Sequence, residues 1–196
     1  FLIYRNDDCV VAGKHQNIIA EINYRYIYEN DILISRRISG GGTVFQDNGC
    51  LNFAYIKNMD KDKFINYKEN LTYIVNFLKY SYNLNVFFDG KNSLYIENKK
   101  ISGNSQHIYK NRLLHHGTLL FKTNIEKLMN SLSFINKNYI DKAVKSKPHQ
   151  VVNISDYTNQ SIEEFEKNLI SFVKDYFKAE IFELTVEDIN NINILV

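Results

Sequence analysis

Residues 36–45 read Arg-Arg-Ile-Ser-Gly-Gly-Gly-Thr-Val-Phe, and this stretch is the most informative part of the chain. It places three of the chain's 8 glycines in a row, just after an arginine pair. Glycine lacks a Cβ, so ligand atoms can approach the main chain, and successive N–H groups can form an anion-binding concavity. Adjacent guanidinium groups add donors for phosphate or carboxylate. The stretch predicts a loop that holds a small anionic ligand; the alternative is a plain turn beside solvated arginines.

The composition limits the class of protein. A chain of 196 residues with 44% hydrophobic content suits one domain with a sizeable core. Its net charge is only +2, with basic and acidic residues interspersed, so we expect no nucleic-acid partner. No apolar run approaches the ~18 residues of a membrane span, so no membrane partner is expected. The two cysteines, Cys9 and Cys50, indicate a reducing compartment rather than a disulfide framework.

The hydrophobic pattern predicts strands in the centre of the chain and helices around them, hence an α+β or mixed α/β fold. Helices are expected within 18–28, over a stripe of Phe64, Tyr67, Leu71, Ile74, Val75 and Leu78, after Asn124, and after a capping box at 161–164. Strands are expected at 1–4, 9–12, 32–35, 84–88, 94–96 and 113–121. Residues 44–45 and 51–56 are expected to form a hairpin around Asn48-Gly49, a strong turn signal.

A second polar stretch, Lys100-Ile101-Ser102-Gly103, could hold a lysine beside a Ser-Gly turn, with its charge on a ligand carbonyl or phosphate. The alternative is an exposed hairpin with solvated lysines, since lysine is mostly exposed. His115 and His116 indicate a metal only weakly, because adjacent strand residues point to opposite faces and no Cys, Asp or Glu lies nearby. We expect packed or hydrogen-bonded histidines and assign no metal ligand.

Taken together, these segments resemble the lipoate–protein ligase A family. The matching elements, in order, are residues 5–17, 36–47, 90–92, 100–103 and 115–120. The resemblance runs from about Phe1 to beyond Val152, and its RR-x-SGGG-x-V-F and K-[IV]-SG elements are highly specific. It implies the catalytic core shared by biotin and lipoate ligases, in which a mixed, largely antiparallel sheet is flanked by helices.

The resemblance also implies an activity. In that family the carboxylate of lipoate attacks the α-phosphate of ATP, pyrophosphate leaves, and lipoyl-AMP then passes its lipoyl group to a lysine of an acceptor domain. Mg²⁺ should accompany ATP. The acceptors implied are the lipoyl domains of 2-oxoacid dehydrogenase subunits and the glycine-cleavage H protein. The compartment implied is the cytoplasm, or a mitochondrion or plastid in a eukaryote.

The family likeness assigns roles to individual residues. Lys100 is expected to be catalytic, because a cation there offsets repulsion between carboxylate and phosphate and stabilises the departing AMP. Arg37 is expected to hold the ligand carboxylate or α-phosphate, with Arg36 structural, and Asn92 to orient the adenylate. The full set expected to bind ATP and lipoyl-adenylate is Arg37, Ser39, Gly40, Gly41, Gly42, Thr43, Val44, Phe45, Asn92, Lys100, Ser102 and Gly103.

The chain departs from the family pattern at several places. Gln46 stands where many relatives carry His, Cys50 where relatives usually carry Asn, and Ser93 where Asp is common. We expect residues 1–196 to be a single catalytic domain with a truncated N-terminal helix and without the small C-terminal accessory domain. Such a chain could need a separate accessory subunit or preformed lipoyl-AMP.

Two other functions stay open at this stage. A lipoyl or octanoyl transferase of the same superfamily would use a Cys50 thioester, but residues 48–51 offer no basic neighbour to lower the thiol pKa. A degenerate paralogue would bind lipoate or nucleotide without catalysis, and the presence of Lys100 and Arg37 weighs against it. Cys9, inside a strand-like run, is expected to be a small buried hydrophobe.

Overall fold

The computed structural model describes residues 1–59, 66–132 and 142–195, and its strands form two sheets. The strands are β1 (Leu2–Tyr4), β2 (Cys9–Ala12), β3 (Leu33–Arg36), β4 (Val44–Gln46), β5 (Cys50–Asn58), β6 (Phe87–Phe88), β7 (Ser93–Ile96), β8 (Lys99–Tyr109) and β9 (Arg112–Leu120). The helices are α1 (Ile18–Glu21), α2 (Tyr24–Glu29), α3 (Tyr67–Tyr82), α4 (Ile125–Ser131), α5 (Ile162–Phe177) and α6 (Val186–Leu195), with a 3₁₀ turn at Ile154–Tyr157. None of these helices has the length and apolarity needed to cross a membrane.

The larger sheet has the strand order β1-β5-β9-β8-β7-β6, with every neighbouring pair antiparallel. The smaller sheet has the order β3-β2-β4, in which β2 runs parallel to β3 and antiparallel to β4. The predicted α+β class with a mixed, largely antiparallel arrangement is therefore confirmed. The prediction did not anticipate that the strands divide between two sheets.

One face of the larger sheet is buried under α3 and α5. Leu51 and Phe53 of β5 are fully buried there, because alternate residues of a strand share a face. The helix side chains in this core are Leu71, Ile74, Phe77, Leu78, Phe165, Leu169 and Val173. The predicted stripe on α3 packs here through Leu71, Ile74 and Leu78, with Val75 partly buried against them. Tyr67 is not part of this core, and Phe64 lies outside the described residues. Asn52 lies between the two core residues of β5 and so belongs to the opposite face.

The N-terminus of α5 carries the predicted capping box. The N–H of Glu164 donates to Ser161 Oγ at 3.2 Å, and the N–H of Ser161 donates to Glu164 Oε2 at 3.0 Å. These two bonds satisfy donors that the first turn of a helix leaves unpaired.

The helix predicted within residues 18–28 is two short helices. Ile22 has extended backbone, with φ −126° and ψ 155°, and ends α1. The Asn23 side chain then accepts the N–H of Tyr26 and starts α2. Asparagine favours such caps over helix interiors, because its side chain competes for backbone donors.

The hairpin predicted around Asn48-Gly49 is wrong, although the turn itself is present. The N–H of Cys50 donates to the carbonyl of Asp47 at 3.0 Å, and the N–H of Gly49 donates to Asp47 Oδ1 at 3.0 Å. However, β4 pairs with β2, whereas β5 pairs with β1 and β9. The turn therefore carries the chain from the smaller sheet to the larger one, and the two sheets diverge there.

Candidate active site

Two cavities adjoin where the smaller sheet faces β8 and β9. The small cavity, of about 240 Å³, has mostly apolar walls that include Phe45, Leu120, Leu128 and Val151. The large cavity, of about 480 Å³, extends to Tyr4, Asn6 and Gln46 and is more polar. The residues that line both, which we term the shared wall, are Thr43, Val44, Lys100, Gly103, Thr118, Ser146, Lys147 and His149.

The loop of residues 39–43, here the glycine loop, is curled around the side chain of Arg37. The guanidinium donates to the carbonyls of Val11 at 2.9 Å, Gly40 at 2.7 Å and Gly42 at 2.7 Å. Gly41 has φ +94°, a backbone conformation that residues other than glycine rarely adopt. The arginine therefore fixes the shape of the loop, and it also lines the large cavity. Its predicted contact with a ligand remains a prediction.

Arg36 organises the chain behind the glycine loop. Its guanidinium donates to the carbonyls of Gly13 at 2.8 Å and Gln16 at 2.8 Å. A Cβ on Gly13 would lie 2.1 Å from the carbonyl oxygen of Gly41, so the two loops touch through their backbones. These contacts give Arg36 the structural role expected of it.

Lys100 lies in β8, and the predicted Ser-Gly turn beside it is wrong. Residues 102–103 continue the strand, and the turn precedes it at Glu97 and Asn98, with φ of +47° and +65°. In β7, Tyr95 pairs with Lys100, whereas the preceding residue, Leu94, pairs with Ser102. One residue of β8, Ile101, is therefore left over, and the strand bulges at this point. Bulges change the direction of side chains, and they are frequent beside active sites.

The Lys100 side chain is largely withdrawn from solvent. Burial lowers the pKa of its ammonium group below the usual value, and the Asp89 carboxylate acts in the opposite direction. A Cβ on Gly103 would lie 3.2 Å from both Cε and Nζ of the lysine. The glycine of the K-[IV]-SG element therefore leaves room for the lysine against the strand.

An interlocked pair of asparagines supports β7 and β8 beside Lys100. Asn92 Nδ2 donates to the carbonyl of Asn104 at 3.0 Å, and Asn104 Nδ2 donates to the carbonyl of Asn92 at 3.0 Å. Asn104 Nδ2 also donates to Ser102 Oγ at 3.1 Å, and Ser93 Oγ donates to Asn92 Oδ1 at 3.2 Å. The Asn92 side chain is thus held in a fixed orientation at the edge of the large cavity.

Residues 142–151, here the strap, pack across the glycine loop and were not expected at the site. Gln16 Nε2 donates to Ser146 Oγ at 3.0 Å, and Gln16 Oε1 accepts from Thr43 Oγ1 at 2.8 Å. The N–H of Ser146 donates to the buried carboxylate of Glu21 at 3.0 Å. The only sequence signals for the strap are the single proline, Pro148, and the lysines around it.

The large cavity is strongly basic. Arg37, Lys145, Lys147 and His149 line the large cavity together with Lys100, and the described residues that line it include no Asp or Glu. The small cavity has one carboxylate among its described lining residues, Glu21, which accepts from the strap backbone. Cations without matching carboxylates favour an anionic ligand.

The two histidines of β9 are packed and hydrogen-bonded, as expected. His116 Nε2 lies 2.6 Å from Ser39 Oγ and lines the large cavity; burial, followed by the charge of Arg37, lowers its pKa to about 4. His115 is fully buried, and its Nδ1 lies 2.8 Å from Gln106 Nε2. Both imidazoles are therefore neutral near pH 7.

The structure brings most of the predicted binding residues to the cavity walls. Those that line at least one cavity are Arg37, Gly41, Gly42, Thr43, Val44, Phe45, Asn92, Lys100 and Gly103. Three others, Ser39, Gly40 and Ser102, lie behind the walls. Ser39 contacts His116, the carbonyl of Gly40 accepts from Arg37, and Ser102 Oγ accepts from Asn104. Their observed contacts are with protein atoms.

Neither cysteine is placed to act as a nucleophile. Cys50 is fully buried in β5, lines neither cavity, and has its pKa raised by burial and by Asp47. Burial, followed by nearby aspartates, raises the pKa of Cys9 to about 11. A catalytic thiol needs a lowered pKa and access to its substrate, so these environments oppose the thioester alternative.

Known proteins share this sequence and arrangement. Residues 1–174 match the family model described as the lipoyl protein ligase A/B catalytic domain. Lipoate–protein ligase 1 of Staphylococcus aureus is 37% identical over 194 residues, which cover 98% of this chain and 59% of that protein. The chain thus spans about three fifths of the length of this relative.

Solved structures extend the likeness to the fold. Lipoate–protein ligase A bound with ATP is 25% identical, with a TM-score of 0.78, over 96% of this chain and 77% of the other. A bipartite lipoate–protein ligase of Thermoplasma acidophilum, described with its E2 lipoyl domain, is 25% identical, with a TM-score of 0.76, over 96% and 75%. Because the family model covers most of the sequence, the chain belongs to the lipoyl protein ligase A/B catalytic domain family.

Proposed function

We propose that this chain is the catalytic part of a lipoate–protein ligase, which activates lipoate with ATP and transfers the lipoyl group to a protein lysine. One observation carries the proposal: the partly buried Lys100 lies in the shared wall of two adjoining cavities in a basic site. Such an arrangement suits two ligands that must meet as anions at one cation. The S. aureus relative named as a lipoate–protein ligase supports the same activity.

The two cavities differ in a way that suits the two substrates. We assign the nucleoside to the small cavity, because Phe45 lines this cavity and not the large one, and because β4 is paired on one edge only, with β2. A free strand edge offers backbone donors and acceptors to a planar base. We assign the acyl chain to the large cavity, which runs from Lys100 to Gln46.

The first reaction joins the two ligands at the shared wall. A carboxylate oxygen of lipoate attacks the α-phosphorus of ATP, the new C–O–P linkage forms, and the bond to pyrophosphate breaks. Both reactants are negatively charged, so their approach needs a cation that is already in position. Lys100 meets that need, and its restricted surroundings reduce the reorganisation required during reaction. Arg37 and Asn92 are proposed to hold the ligands on either side.

The second reaction transfers the acyl group. An acceptor lysine, as the free amine, attacks the acyl carbonyl and a C–N bond forms. The C–O bond to AMP breaks with its electron pair leaving on the phosphate, and the amine nitrogen releases a proton to solvent to give the amide. Lys100 can stabilise the charge that develops on the AMP phosphate. We propose a lipoyl domain of a 2-oxoacid dehydrogenase subunit or a glycine-cleavage H protein as the acceptor, supported by the archaeal ligase that is described with an E2 lipoyl domain.

We propose that Mg²⁺ enters the site bound to ATP, as part of the substrate. Among the described residues, no group of three His, Cys, Asp or Glu side chains could hold a metal ion. The one carboxylate that lines the small cavity, Glu21, accepts from the N–H of Ser146. We therefore assign no protein ligand to Mg²⁺.

The wider setting of the activity is also part of the proposal. We propose residues 1–196 as one catalytic domain that works in the cytoplasm, or in a mitochondrion or plastid of a eukaryote. An accessory subunit that assists adenylation is compatible with the bipartite archaeal ligase, which shares this fold.

A three-component assay tests the function. The protein is incubated with lipoate, MgATP and an apo lipoyl domain, and AMP and the acceptor mass are followed. We expect ATP-dependent lipoylation that is lost in Lys100→Ala. Lys99→Ala is the matched control, because Lys99 is the exposed neighbour on the same strand and lines neither cavity; it should keep wild-type activity.

The same assay separates the alternatives. Modification that needs an acyl-carrier donor and disappears in Cys50→Ala would establish the transferase instead. Turnover of preformed lipoyl-AMP alone would place adenylation on an accessory subunit. Binding of lipoate or ATP without turnover in any combination would establish a non-catalytic paralogue.

A further inference from the structure

We propose that Gln46 selects the acyl group, favouring a chain that ends in a dithiolane over a saturated alkyl chain. The inference rests on the proposed function, because it concerns the far end of the cavity assigned to the acyl chain. Gln46 lines that end together with Tyr4 and Asn6, while Lys100 lines the shared wall.

The Gln46 amide is held in one orientation by its neighbours. Its Oε1 accepts from Asn6 Nδ2 at 2.7 Å and from the Cys9 thiol at 3.9 Å. The residue is buried, with a relative exposure of 7%. Its Nε2 donates to none of the described residues, although the side chain forms part of the cavity wall. The cavity end therefore presents the Gln46 Nε2–H donor. The hydrogen bonds accepted by Oε1 fix the orientation of the amide and hence the direction of this donor.

Polar residues of the larger sheet lie near this end of the cavity. Tyr4 lies opposite Asn52 in the pairing of β1 with β5, and Asn52 lies opposite Thr118 in the pairing of β5 with β9. Directly paired residues share a face of the sheet, and Tyr4 and Thr118 both line the large cavity. Both amide atoms of Asn52 are buried without a hydrogen-bond partner in the described structure. Asn52 therefore lies on the same sheet face as two residues that line the cavity, although it is not itself part of the cavity wall.

The Gln46 donor discriminates between two acids of similar length. Octanoate ends in a methyl group, which would cover the Gln46 N–H and leave it unpaired. Lipoate ends in a dithiolane, whose sulfur atoms are polarisable and accept weak hydrogen bonds, as a thioether sulfur does. Leaving a buried N–H unpaired costs free energy, and even a weak N–H···S hydrogen bond avoids that cost. Binding of the methyl-terminated chain is therefore disfavoured. The wild-type chain should therefore prefer lipoate.

A comparison of two acids in two variants tests the inference. Formation of acyl-AMP is measured with lipoate and with octanoate, and binding of each free acid is measured by calorimetry. Gln46→Met keeps the length of the side chain but removes the amide. We expect it to lower the ratio of kcat/KM for lipoate over octanoate by roughly tenfold. Gln160→Met is the matched control, because Gln160 is exposed and remote from the cavity, and it should keep the wild-type ratio.

Asn6→Ala is a second test of the inference, which stays informative if Gln46→Met misfolds. It removes the group that orients the Gln46 amide, so it should lower the same ratio while Gln46 itself remains. An unchanged ratio in both variants, each folded as judged by its thermal midpoint, overturns the inference. If the wild-type protein activates neither acid, the proposed function fails. The ratio of the calorimetric affinities for lipoate and octanoate then tests the inference separately, and equal affinities overturn it.

Discussion

Gly103 and Lys100 are packed so closely that a Cβ at position 103 would lie 3.2 Å from the lysine Nζ. Both residues belong to β8, at the point where the strand bulges. The bulge and the glycine act together: one directs the lysine side chain, and the other leaves space for it. The position of the ammonium group in the shared wall is therefore set by backbone features on either side of it.

Replacing this glycine should impair catalysis more than folding. Gly103→Ala would push the Lys100 ammonium away from the shared wall by a few tenths of an ångström, and a displacement of about 1 Å can cost about a hundredfold in rate. We therefore expect kcat for lipoyl-AMP formation to fall by roughly three- to tenfold, with the thermal midpoint nearly unchanged. A variant with wild-type kcat would show that the close packing does not position the lysine.

The sequence allowed good predictions where a local signal is sufficient. The capping box of α5 is specified by Ser161 and Glu164 alone, and the glycine triplet and Lys100 indicated the site because each carries its chemistry within a short segment. Longer-range features escaped prediction. The Asn48-Gly49 turn resembles a hairpin, and nothing within it states that β4 will pair with β2 instead of β5.

The strap illustrates the same limit. Ser146 meets Gln16 across 130 residues of sequence, and the sequence between them gives no sign of the contact. The role of Arg37 in shaping the loop was also missed. A guanidinium can bind a ligand or backbone carbonyls equally well, and only the curvature of the loop brings Val11, Gly40 and Gly42 within its reach.

Gln16 should couple the strap to nucleotide binding. Its amide accepts from the N–H of Gly13 and from Thr43, and it donates to Val144 and Ser146. Gln16→Leu leaves these buried groups unpaired, so we expect a loss of about 2 kcal/mol of unfolding free energy. We also expect a severalfold rise in the KM for ATP, because the strap lines the cavity assigned to the nucleoside.

Two measurements check this coupling. Hydrogen exchange should show faster exchange in residues 142–151 of Gln16→Leu, while Gln160→Leu, which replaces an exposed glutamine, should behave as wild type. If Gln16→Leu loses stability but keeps the KM for ATP and the exchange of the strap, its role is limited to folding.

Arg37→Lys should disrupt the glycine loop although it preserves the charge. The arginine donates to three carbonyls at once, and a lysine ammonium cannot span the same three positions because it lacks the planar fork. We expect kcat/KM for lipoate to fall at least about tenfold. Arg112→Lys, at an exposed site on β9, is the matched control. Wild-type kinetics in Arg37→Lys would mean that only the positive charge matters.

His115 should make the fold sensitive to acid. Burial, followed by the charges of His116 and Lys57, lowers the pKa of His115 to about 3. In the unfolded chain this imidazole takes up a proton near pH 6.5, whereas in the folded chain it stays neutral until about pH 3. The free energy of unfolding is therefore unaffected by this group above pH 6.5 and decreases as the pH falls from there towards 3. His115→Phe should retain the stacking with Tyr55 and Phe53 but remove the titration. We expect the fall in unfolding free energy between pH 7 and pH 5, measured by urea denaturation, to be smaller by about 2 kcal/mol in this variant. His107→Phe on β8 is the control, and an equal fall in His115→Phe and wild type would contradict the prediction.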